Sequence, residues 1–286
     1  VDALGTRSTR LEQSDALRKL GHDLISIGAD FERGLSYARR GYDLAREFGP
    51  HGLMHNTFPV MAALFHLGRW DELLPFVDEH VRAFRIEPAL ECQFVRDGPV
   101  LGALLLTLLG RTEEASELAS LVGDPLSDTY TASAWQARYA AISGHPEIAR
   151  TMSWDKALER RTYGPQHALV VVEALLALED WAQLLSFLPH ARVAVDGNAL
   201  LAPVADRAEG LALLAGGDRS AAADLIQRSL QRFRELRTPW EEARTLEALG
   251  RVLPDAEAHA ARRIALAIYE QLGVGLRPDR PSGSRS

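Results

Sequence analysis

The residues whose types and spacing could do chemistry begin with two histidines, His51 and His55, in the stretch HGLMH. A four-residue spacing puts two side chains on one helix face, as in zinc proteases, but those enzymes need a glutamate after the first histidine and this chain has Gly52. The stretch lies near a predicted helix start, so the sequence leaves open whether the two histidines share a face. Because a zinc site needs three or four protein ligands, we predict that this pair holds no metal.

The single cysteine, Cys92, is the next candidate, with Arg96 four residues further on. A nearby cation could lower the pKa of the thiol, but the sequence identifies no base that would activate it as a nucleophile. We therefore predict a buried, unreactive thiol. A single cysteine also allows no internal disulfide, which fits a reducing, cytoplasmic location.

Other patterns disfavour several classes of function. The stretch LLAGGDRSA, from Leu213 to Ala221, lacks the lysine and the serine or threonine that end a phosphate-binding loop. No order of serine, histidine and aspartate stands out, so we predict a protein that is not an enzyme and binds no cofactor. The formal net charge of −7 disfavours binding to nucleic acid, whose backbone is also negatively charged. The longest apolar run, VLGALLLTLLG, is too short to cross a membrane.

The elements that must position these residues follow from a phrase that recurs along the chain: a break, usually glycine, then a polar residue, a packing residue, and acids or alanines. Its copies begin at Ile27, Leu67, Leu109, Ser143, Leu178, Gly216 and Leu253. Their spacing of about 34 to 42 residues is typical of paired-helix repeats. Apolar residues on both sides of the breaks recur at three- and four-residue steps, which predicts helices.

Each unit therefore predicts a helix, a tight turn and a second helix, and such units must stack because neither helix can bury its apolar face alone. The predicted fold is an all-α superhelix of about seven helix pairs, which forms a single domain over residues 1–273. A disordered tail is predicted over residues 274–286, which are rich in proline, glycine and serine. Since the chain starts with Val1 rather than methionine, we expect a fragment of a larger protein.

The second copy of the phrase, LGRWDELL, predicts how the turns are built. Gly68 ends a helix in a left-handed conformation, which glycine adopts most easily. Trp70 then covers the end of the hairpin, and Phe31 and Trp181 hold the same place in their copies. We expect these three rings to pack against the protein rather than to stack on a ligand.

Glycines and prolines inside predicted helices give two further expectations. Gly34 and Gly41 lie within a second helix, where each costs up to about 1 kcal/mol relative to alanine, so we expect close packing against a neighbouring helix there. Pro59 and Pro99 lie in first helices. They predict either helices that start late, just before each proline, or helices that are kinked.

The last two copies of the phrase carry a resemblance to a known family. The sixth, AGGDRSAAADLIQRSLQRF, has Gly217 at the turn, Ala222 at the small position and Gly210 in the preceding helix, and it resembles a tetratricopeptide repeat. The seventh is similar, with ARTLEALGRVL followed by ARRIALAIYEQLG. The resemblance covers about Leu11 to Gly273 and implies a tetratricopeptide-like solenoid.

The segment PWEEARTLEALGRVL, together with ARRIALAIYEQLG, also resembles the last repeat of bacterial signalling ATPases of the large LuxR-type regulator kind, and the helical tails of nucleotide cyclases fused to such ATPases. In those families the repeats act as a sensor or partner-binding arm. The resemblance implies a non-catalytic module of a bacterial signalling or transcription-regulatory protein, which binds a protein, a peptide or a neighbouring domain of its own chain. The alternative is a domain that senses a small-molecule effector and controls an attached ATPase, cyclase or DNA-binding domain.

First helices line the concave side of a paired-helix superhelix, which gives a set of candidate binding residues. The set is Lys19, Asp23, His55, Phe58, Phe65, Arg138, Gln166, Glu173, Arg207, Arg244, Glu247 and Arg251, with Asp97, Val100, Leu104, Thr131 and Leu169 beside them. Its apolar middle and basic end suit an extended peptide or helix with an acidic terminus, unless the apolar middle is core or packs on another domain. In the sensor alternative, Arg207, Arg244 and Arg251 would bind an anionic effector.

Overall fold

The computed structural model describes residues 9–123, 133–158, 164–194 and 198–275, and all regular structure within these ranges is helical. The helices are α1 (Arg10–Ser26), α2 (Phe31–Ala45), α3 (Gly49–His66), α4 (Trp70–Ile86), α5 (Gln93–Leu108), α6 (Thr112–Ser120), α7 (Ala134–Ile142), α8 (Pro146–Leu158), α9 (Gly164–Ala177), α10 (Trp181–Val193), α11 (Leu201–Ala215), α12 (Arg219–Leu236), α13 (Pro239–Val252) and α14 (Asp255–Leu272). Residues 276–286 of the predicted tail lie outside the described residues, as does Thr131. None of the described helices combines the length and the apolar character that a bilayer-crossing helix requires.

Consecutive helices pack as hairpins, from α1 with α2 to α13 with α14, and neighbouring hairpins pack on each other. The first helices of successive pairs also touch one another, from α1 with α3 to α11 with α13. They therefore form a continuous inner layer, and the second helices lie outside it. Across the described residues, the predicted all-α superhelix of seven helix pairs is confirmed.

The turns inside the pairs repeat the geometry that the recurring phrase predicts. A residue with positive φ ends the first helix in six of the seven turns, namely Gly28, Gly68, Gly110, Gly144, Glu179 and Gly217. Only the seventh turn differs, because Leu253 and Pro254 are extended there. The left-handed conformation predicted for Gly68, with a φ of 68°, is thus confirmed.

The aromatic residues after these turns pack as expected, to different degrees. Trp70 and Phe31 are buried in the core, and the indole Nε1 of Trp70 donates a hydrogen bond to the backbone oxygen of Phe65 at 3.0 Å. Trp181 is half-buried and packs against the same core. Each ring closes the end of its hairpin from inside.

The glycines inside the first pair allow α1 and α2 to approach closely. A methyl group on Gly34 would lie 3.2 Å from the backbone oxygen of Gly21, and one on Gly41 would lie 3.2 Å from that of Ser14. The expected close packing at Gly34 and Gly41 is therefore confirmed.

Of the two alternatives that the sequence leaves open for Pro59 and Pro99, the structure excludes the late helix start. Both lie inside helices, since α3 begins at Gly49 and α5 at Gln93. Each proline removes one backbone donor from its helix. Both helices are inner elements that are almost continuously buried around the proline, so hydrophobic packing holds the helical path.

The superhelix closes on itself, which the sequence does not predict. The backbone N–H of Ala199 donates to Ile27 in the first turn, and that of Gly275 donates to Leu108 beside the third turn, at 2.9 Å. Between them, the second turn at Gly68 rests on Pro239. The tips of the first three hairpins therefore dock, in order, on the beginning of the sixth pair, the beginning of the seventh and the residues that follow it.

Candidate functional site

Closure leaves a small, partly open cavity on the axis of the superhelix. Its walls come from the inner helices α1, α3, α5, α7 and α9 and from the segment before α11. The lining residues are His22, Ile25, Ser26, Phe58, Ala62, His66, Gln93, Phe94, Asp97, Ala134, Trp135, Arg138, Gln166, Leu169, Asn198 and Leu200. The cavity is what remains of the concave side of the solenoid.

An aromatic wall forms one side of this axial cavity. The ring of Phe58 lies 5.6 Å from that of Phe94 and 6.3 Å from that of Trp135, measured between centroids. The imidazole of His22 meets the Phe94 ring edge-on at 4.9 Å. Such edge-to-face contacts hold the rings in fixed orientations and leave π-faces on which a flat apolar group could stack.

Asp97 contributes a buried carboxyl group to the same cavity. Its Oδ2 accepts a hydrogen bond from Nε2 of Gln93 at 3.2 Å, whereas its Oδ1 has no hydrogen-bond partner among the described residues. Burial raises the pKa of Asp97 to about 6, although the polar side chains of Ser133 and Gln93 beside it act in the opposite direction. A buried polar atom without a partner is costly in a native protein, so it calls for a specific explanation, such as a bound water, an ion or a functional contact.

The two histidines of the cavity are electrically neutral at pH 7. Burial lowers the pKa of His66 to about 3, helped by the nearby cation of Arg138. Burial also lowers the pKa of His22. A neutral imidazole offers one donor and one acceptor nitrogen, so these rings present hydrogen-bonding capacity without charge.

Arg138 is the cation at the inner end of the cavity. Its guanidinium lies over the ring of Trp135, 5.3 Å from the centroid, and over that of Phe65. Its nitrogens are 3.6 Å from a carboxylate oxygen of Glu241 and 3.9 Å from one of Glu173. Arg138 therefore links the cavity to a group of buried charges further along the axis.

This second region, the axial ion cluster, consists of Arg138, Glu173, Arg207, Glu241 and Arg244. Arg207 Nη1 lies 2.8 Å from Glu241 Oε2, and Arg244 Nη1 lies 2.5 Å from Glu173 Oε1. Burial alone would raise the pKa of Glu241, but the three surrounding arginines outweigh it and lower that pKa to about 2. The five side chains form an alternating network that joins α7, α9, α11 and α13.

The structure brings part of the predicted binding set to the cavity. Phe58, Arg138, Gln166, Asp97 and Leu169 line it. The predicted open apolar groove is corrected, because closure of the superhelix buries Phe65, Val100 and Leu104 in the core. This agrees with the alternative in which the apolar middle of the groove is core.

The other predicted residues separate into three places. Glu173, Arg207 and Arg244 belong to the axial ion cluster. Glu247 faces α14, where it accepts a hydrogen bond from the Tyr269 hydroxyl at 2.6 Å. The exposed members of the set, which do not face the cavity, are Lys19, Asp23 and Arg251.

The predicted anion site of Arg207, Arg244 and Arg251 does not form in this structure. Glutamates pair with Arg207 and Arg244, while Arg251 is exposed near the end of α13. The cause is the acidic residues Glu173 and Glu241 on neighbouring inner helices, whose proximity to these arginines depends on the stacking of the pairs. Asp218, in the supposed glycine-rich loop, accepts a hydrogen bond from the backbone of Ala221 and caps α12, as expected of a repeat turn.

His55, also in the predicted set, lies outside the cavity and contacts Cys92. Its Nε2 is 2.9 Å from the thiol sulfur, and the ring of His51 lies 4.6 Å from its own. The two histidines do share a helix face, which settles the point that the sequence left open. Cys92 is half-buried rather than buried as predicted. The sequence identifies no base beside it because the neighbouring imidazole, that of His55, comes from a different helix pair.

Sequence reasoning missed several residues of the cavity, namely His22, His66, Gln93, Phe94, Trp135 and Asn198. Each lies on an inner helix or beside one, and together they come from five of the helix pairs. The signal that could have found them is a polar or aromatic residue at an inner-face position where other copies have aliphatic residues. Asn198 has a structural task too, since its Nδ2 donates to the backbone oxygen of Ser26 and helps to close the superhelix.

Comparison of the sequence with protein-family models gives no match to any family, and a search of curated proteins finds none that is similar. The resemblance to tetratricopeptide repeats therefore stays a prediction about family, beside a helical repeat architecture that is established. The function is inferred from the residues and geometry of the axial cavity.

Proposed function

We propose that this chain is a non-catalytic sensor module, in which a small-molecule effector occupies the axial cavity. The observation that carries the proposal is Asp97, a buried carboxyl group with one oxygen that lacks a hydrogen-bond partner beside unfilled space. Concave cavities with apolar walls and a few convergent polar groups are the usual sites for small ligands.

The lining favours one ligand chemistry. Phe58, Phe94 and Trp135 suit a flat aromatic or apolar ring, and Asp97 suits an N–H or O–H group that donates to its unpaired oxygen. The amides of Gln93 and Gln166 add neutral polar contacts. An anionic ligand is disfavoured, because the cation at the inner end, Arg138, already pairs with two glutamates.

The sensor reading fits a regulatory role through the closure of the superhelix. The cavity walls span five helix pairs and the closing segment at Asn198. A ligand that contacts all of them favours the closed form, and an attached ATPase, cyclase or DNA-binding domain would respond to that preference. The resemblance to bacterial signalling ATPases supports a cytoplasmic parent protein of this kind.

Thermal unfolding tests the proposal. We expect the chain to melt at a higher temperature in the small-molecule filtrate of a bacterial cell extract than in dialysed buffer. A ligand at a hundred times its dissociation constant adds about 2.7 kcal/mol to the unfolding free energy, which displaces a melting curve visibly. The filtrate can then be fractionated to identify the ligand.

Two variants of the cavity and one control make this test specific. Asp97→Asn removes the anionic acceptor and Ala62→Leu fills part of the cavity, so both should abolish the ligand-induced shift. Asp43→Asn changes an exposed carboxylate on α2 and should keep it. An unshifted wild-type curve in concentrated filtrate, or a shift that persists in both cavity variants, would reject the proposed site.

Binding of a protein or peptide, or of a neighbouring domain of the same chain, is the second candidate. It is supported by two exposed apolar side chains around the short connection between α4 and α5: Ile86 at the end of α4 is 74% exposed and Leu90 in the connection is 43% exposed. Single exposed apolar residues are common, but two around one short connection suit a contact surface. A melting shift that only the macromolecular fraction produces, and that Ile86→Ser removes, would favour this candidate over the sensor.

A further inference from the structure

Three potential metal ligands meet where the second and third helix pairs join. The side chains of His51 and His55 project from the first two turns of α3, and Cys92 stands immediately before α5. One ligand atom from each residue, two imidazole nitrogens and the sulfur, lies within 4.8 Å of the others. All three residues are half-buried, so an ion can reach them and one side of the site faces solvent.

The spacing of these atoms suits a tetrahedral ion. With bonds of about 2.0–2.1 Å to nitrogen and about 2.3 Å to sulfur, tetrahedral ligands lie roughly 3.3–3.7 Å apart. The present separations range from 2.9 Å, between His55 Nε2 and Cys92 Sγ, up to the 4.8 Å limit for the set. Side-chain movements that shift the three ligand atoms by a few tenths of an ångström to about one ångström would bring their separations to tetrahedral values.

The surroundings suit a bound cation. Cys92 is the N-cap residue of α5 and its side chain makes no capping hydrogen bond, so the sulfur is directed to His55 instead. Cysteine binds a metal ion as the thiolate, so coordination would release the proton of the Cys92 thiol. Glu87 adds negative charge nearby, since its carboxylate accepts a hydrogen bond from the backbone N–H of His51 at 3.3 Å.

A simple thiol–imidazole pair would explain only part of this arrangement. Such a pair uses Cys92 and His55 and assigns no role to His51, whose ring lies 4.6 Å from that of His55 and is tilted by 36° relative to it. A metal ion uses all three side chains. Two imidazoles and one thiolate form a ligand set of the kind that zinc prefers over magnesium or calcium.

We propose that His51, His55 and Cys92 form a Zn²⁺ site, with a fourth coordination position open to water. The ion links the start of α3 to the start of α5, and thus fastens the second helix pair to the third. The site is separate from the proposed ligand in the axial cavity and does not depend on it.

The full chain, reduced and stripped of metal, tests this site with Co²⁺ as a spectroscopic probe. We expect one equivalent of Co²⁺ to give a thiolate-to-metal charge-transfer band and the intense visible bands of tetrahedral cobalt, and one equivalent of Zn²⁺ to remove them. Zn²⁺ should also slow alkylation of Cys92 by a maleimide at least tenfold, because coordination occupies the thiolate.

Variants assign the ligands. Cys92→Ser should remove the charge-transfer band, and His51→Gln or His55→Gln should weaken Zn²⁺ binding at least about a hundredfold, since loss of even an outer-shell partner costs 10–100-fold. His259→Gln, in α14, is the control and should bind like the wild type. Circular dichroism establishes that each variant is folded.

The proposal is overturned if Co²⁺ gives no saturable charge-transfer band at one equivalent. It is also overturned if folded His51→Gln binds as tightly as the control, which would reduce the site to a thiol–imidazole pair. If Cys92→Ser fails to fold, the alkylation rate of the wild-type thiol decides, and a rate that Zn²⁺ leaves unchanged rejects the site.

Discussion

The axial ion cluster and the axial cavity lie side by side, share Arg138, and treat buried polar groups in opposite ways. In the cluster every carboxylate has several arginine neighbours, and even Arg207 Nη2, which makes no hydrogen bond, lies 3.7 Å from Glu173 Oε1. In the cavity, Asp97 Oδ1 has no hydrogen-bond partner among the described residues and borders unfilled space. We interpret the difference as one between structure and function: the paired polar groups join helix pairs, whereas the unpaired oxygen beside the cavity supports the proposed ligand site.

The largest expected effect comes from breaking the cluster at Glu241. Glu241→Ala leaves Arg138, Arg207 and Arg244 with Glu173 as their remaining carboxylate within the cluster. Removal of one partner from a buried ion pair costs about 3–5 kcal/mol, because the remaining charges stay buried. We expect a loss of this size in the unfolding free energy, measured by urea denaturation.

Glu235→Ala is the matched control for that experiment. Glu235 pairs with Arg232 on α12, and both side chains are about half exposed. Its loss should cost less than about 1 kcal/mol. If the two variants lose similar stability, Glu241 contributes no more than an exposed ion pair. The contrast between a structural ion cluster and a ligand-binding cavity would then be wrong.

The next effect concerns the pH dependence of stability at Asp97. Burial raises its pKa from 3.8 to about 6 in the folded state. Folding therefore favours the protonated carboxyl group of Asp97. Its contribution to the free energy of unfolding is complete below the unfolded pKa and is lost as pH rises through about 6. The change of about two pKa units corresponds to about 3 kcal/mol.

The wild type loses stability between pH 4 and pH 7 as Asp97 ionises, whereas the side chain in Asp97→Asn cannot ionise. The unfolding free energy of the variant, minus that of the wild type, should therefore rise by about 2–3 kcal/mol over this range. Urea denaturation of both proteins across this range measures the difference, with Asp43→Asn as an exposed control. A difference that stays constant with pH would mean that the carboxyl group is well solvated, and would remove the main support for the cavity as a site.

The parts of the fold that the sequence predicts are local. The phrase LGRWDELL and its copies specify a left-handed residue, a packing ring and the start of a second helix within about four residues, so the turns at Gly28, Gly68 and Gly110 are predictable from their own neighbourhoods. Close packing at Gly34 is predictable for the same reason, because its partner Gly21 lies in the adjacent helix.

The parts that the sequence does not predict depend on residues far apart in the chain. Closure joins Ile27 to Ala199, and the cluster joins Glu173 in the fifth helix pair to Arg244 in the seventh. Neither contact has a signal in local spacing, since both depend on the angle between successive pairs summed over several pairs. The third ligand for the two histidines was missed likewise, because Cys92 belongs to the next pair.

A smaller effect tests closure, on which both axial regions depend. Gly68→Ala forces a side chain into a positive φ and puts its Cβ 2.4 Å from Pro239 Cγ in the seventh pair. Gly217→Ala meets the same backbone strain, with a φ of 92°, but no heavy atom lies within 4 Å of the new Cβ. The difference between the two losses of stability should be about 1–2 kcal/mol, the cost of an overpacked contact.

Thermal or urea unfolding of the two glycine variants measures that difference directly, because the common strain cancels. Equal losses would show that the second hairpin tip does not press on the seventh pair in solution. In that case the superhelix is open, and the cavity would be a groove instead.

The smallest expected effect concerns an arginine–glutamate ion pair on the outer surface of the superhelix. Arg39 Nη2 lies 2.6 Å from Glu72 Oε2, closer than Arg207 lies to Glu241, but the two side chains are 37% and 44% exposed. Water screens such a pair and ordering both side chains costs entropy, so its coupling energy should be no more than about 0.5 kcal/mol. A double-mutant cycle with Arg39→Ala and Glu72→Ala measures this coupling. A coupling energy as large as the loss of stability in Glu241→Ala would mean that the distance between the charged atoms, rather than their burial, sets the strength of these ion pairs.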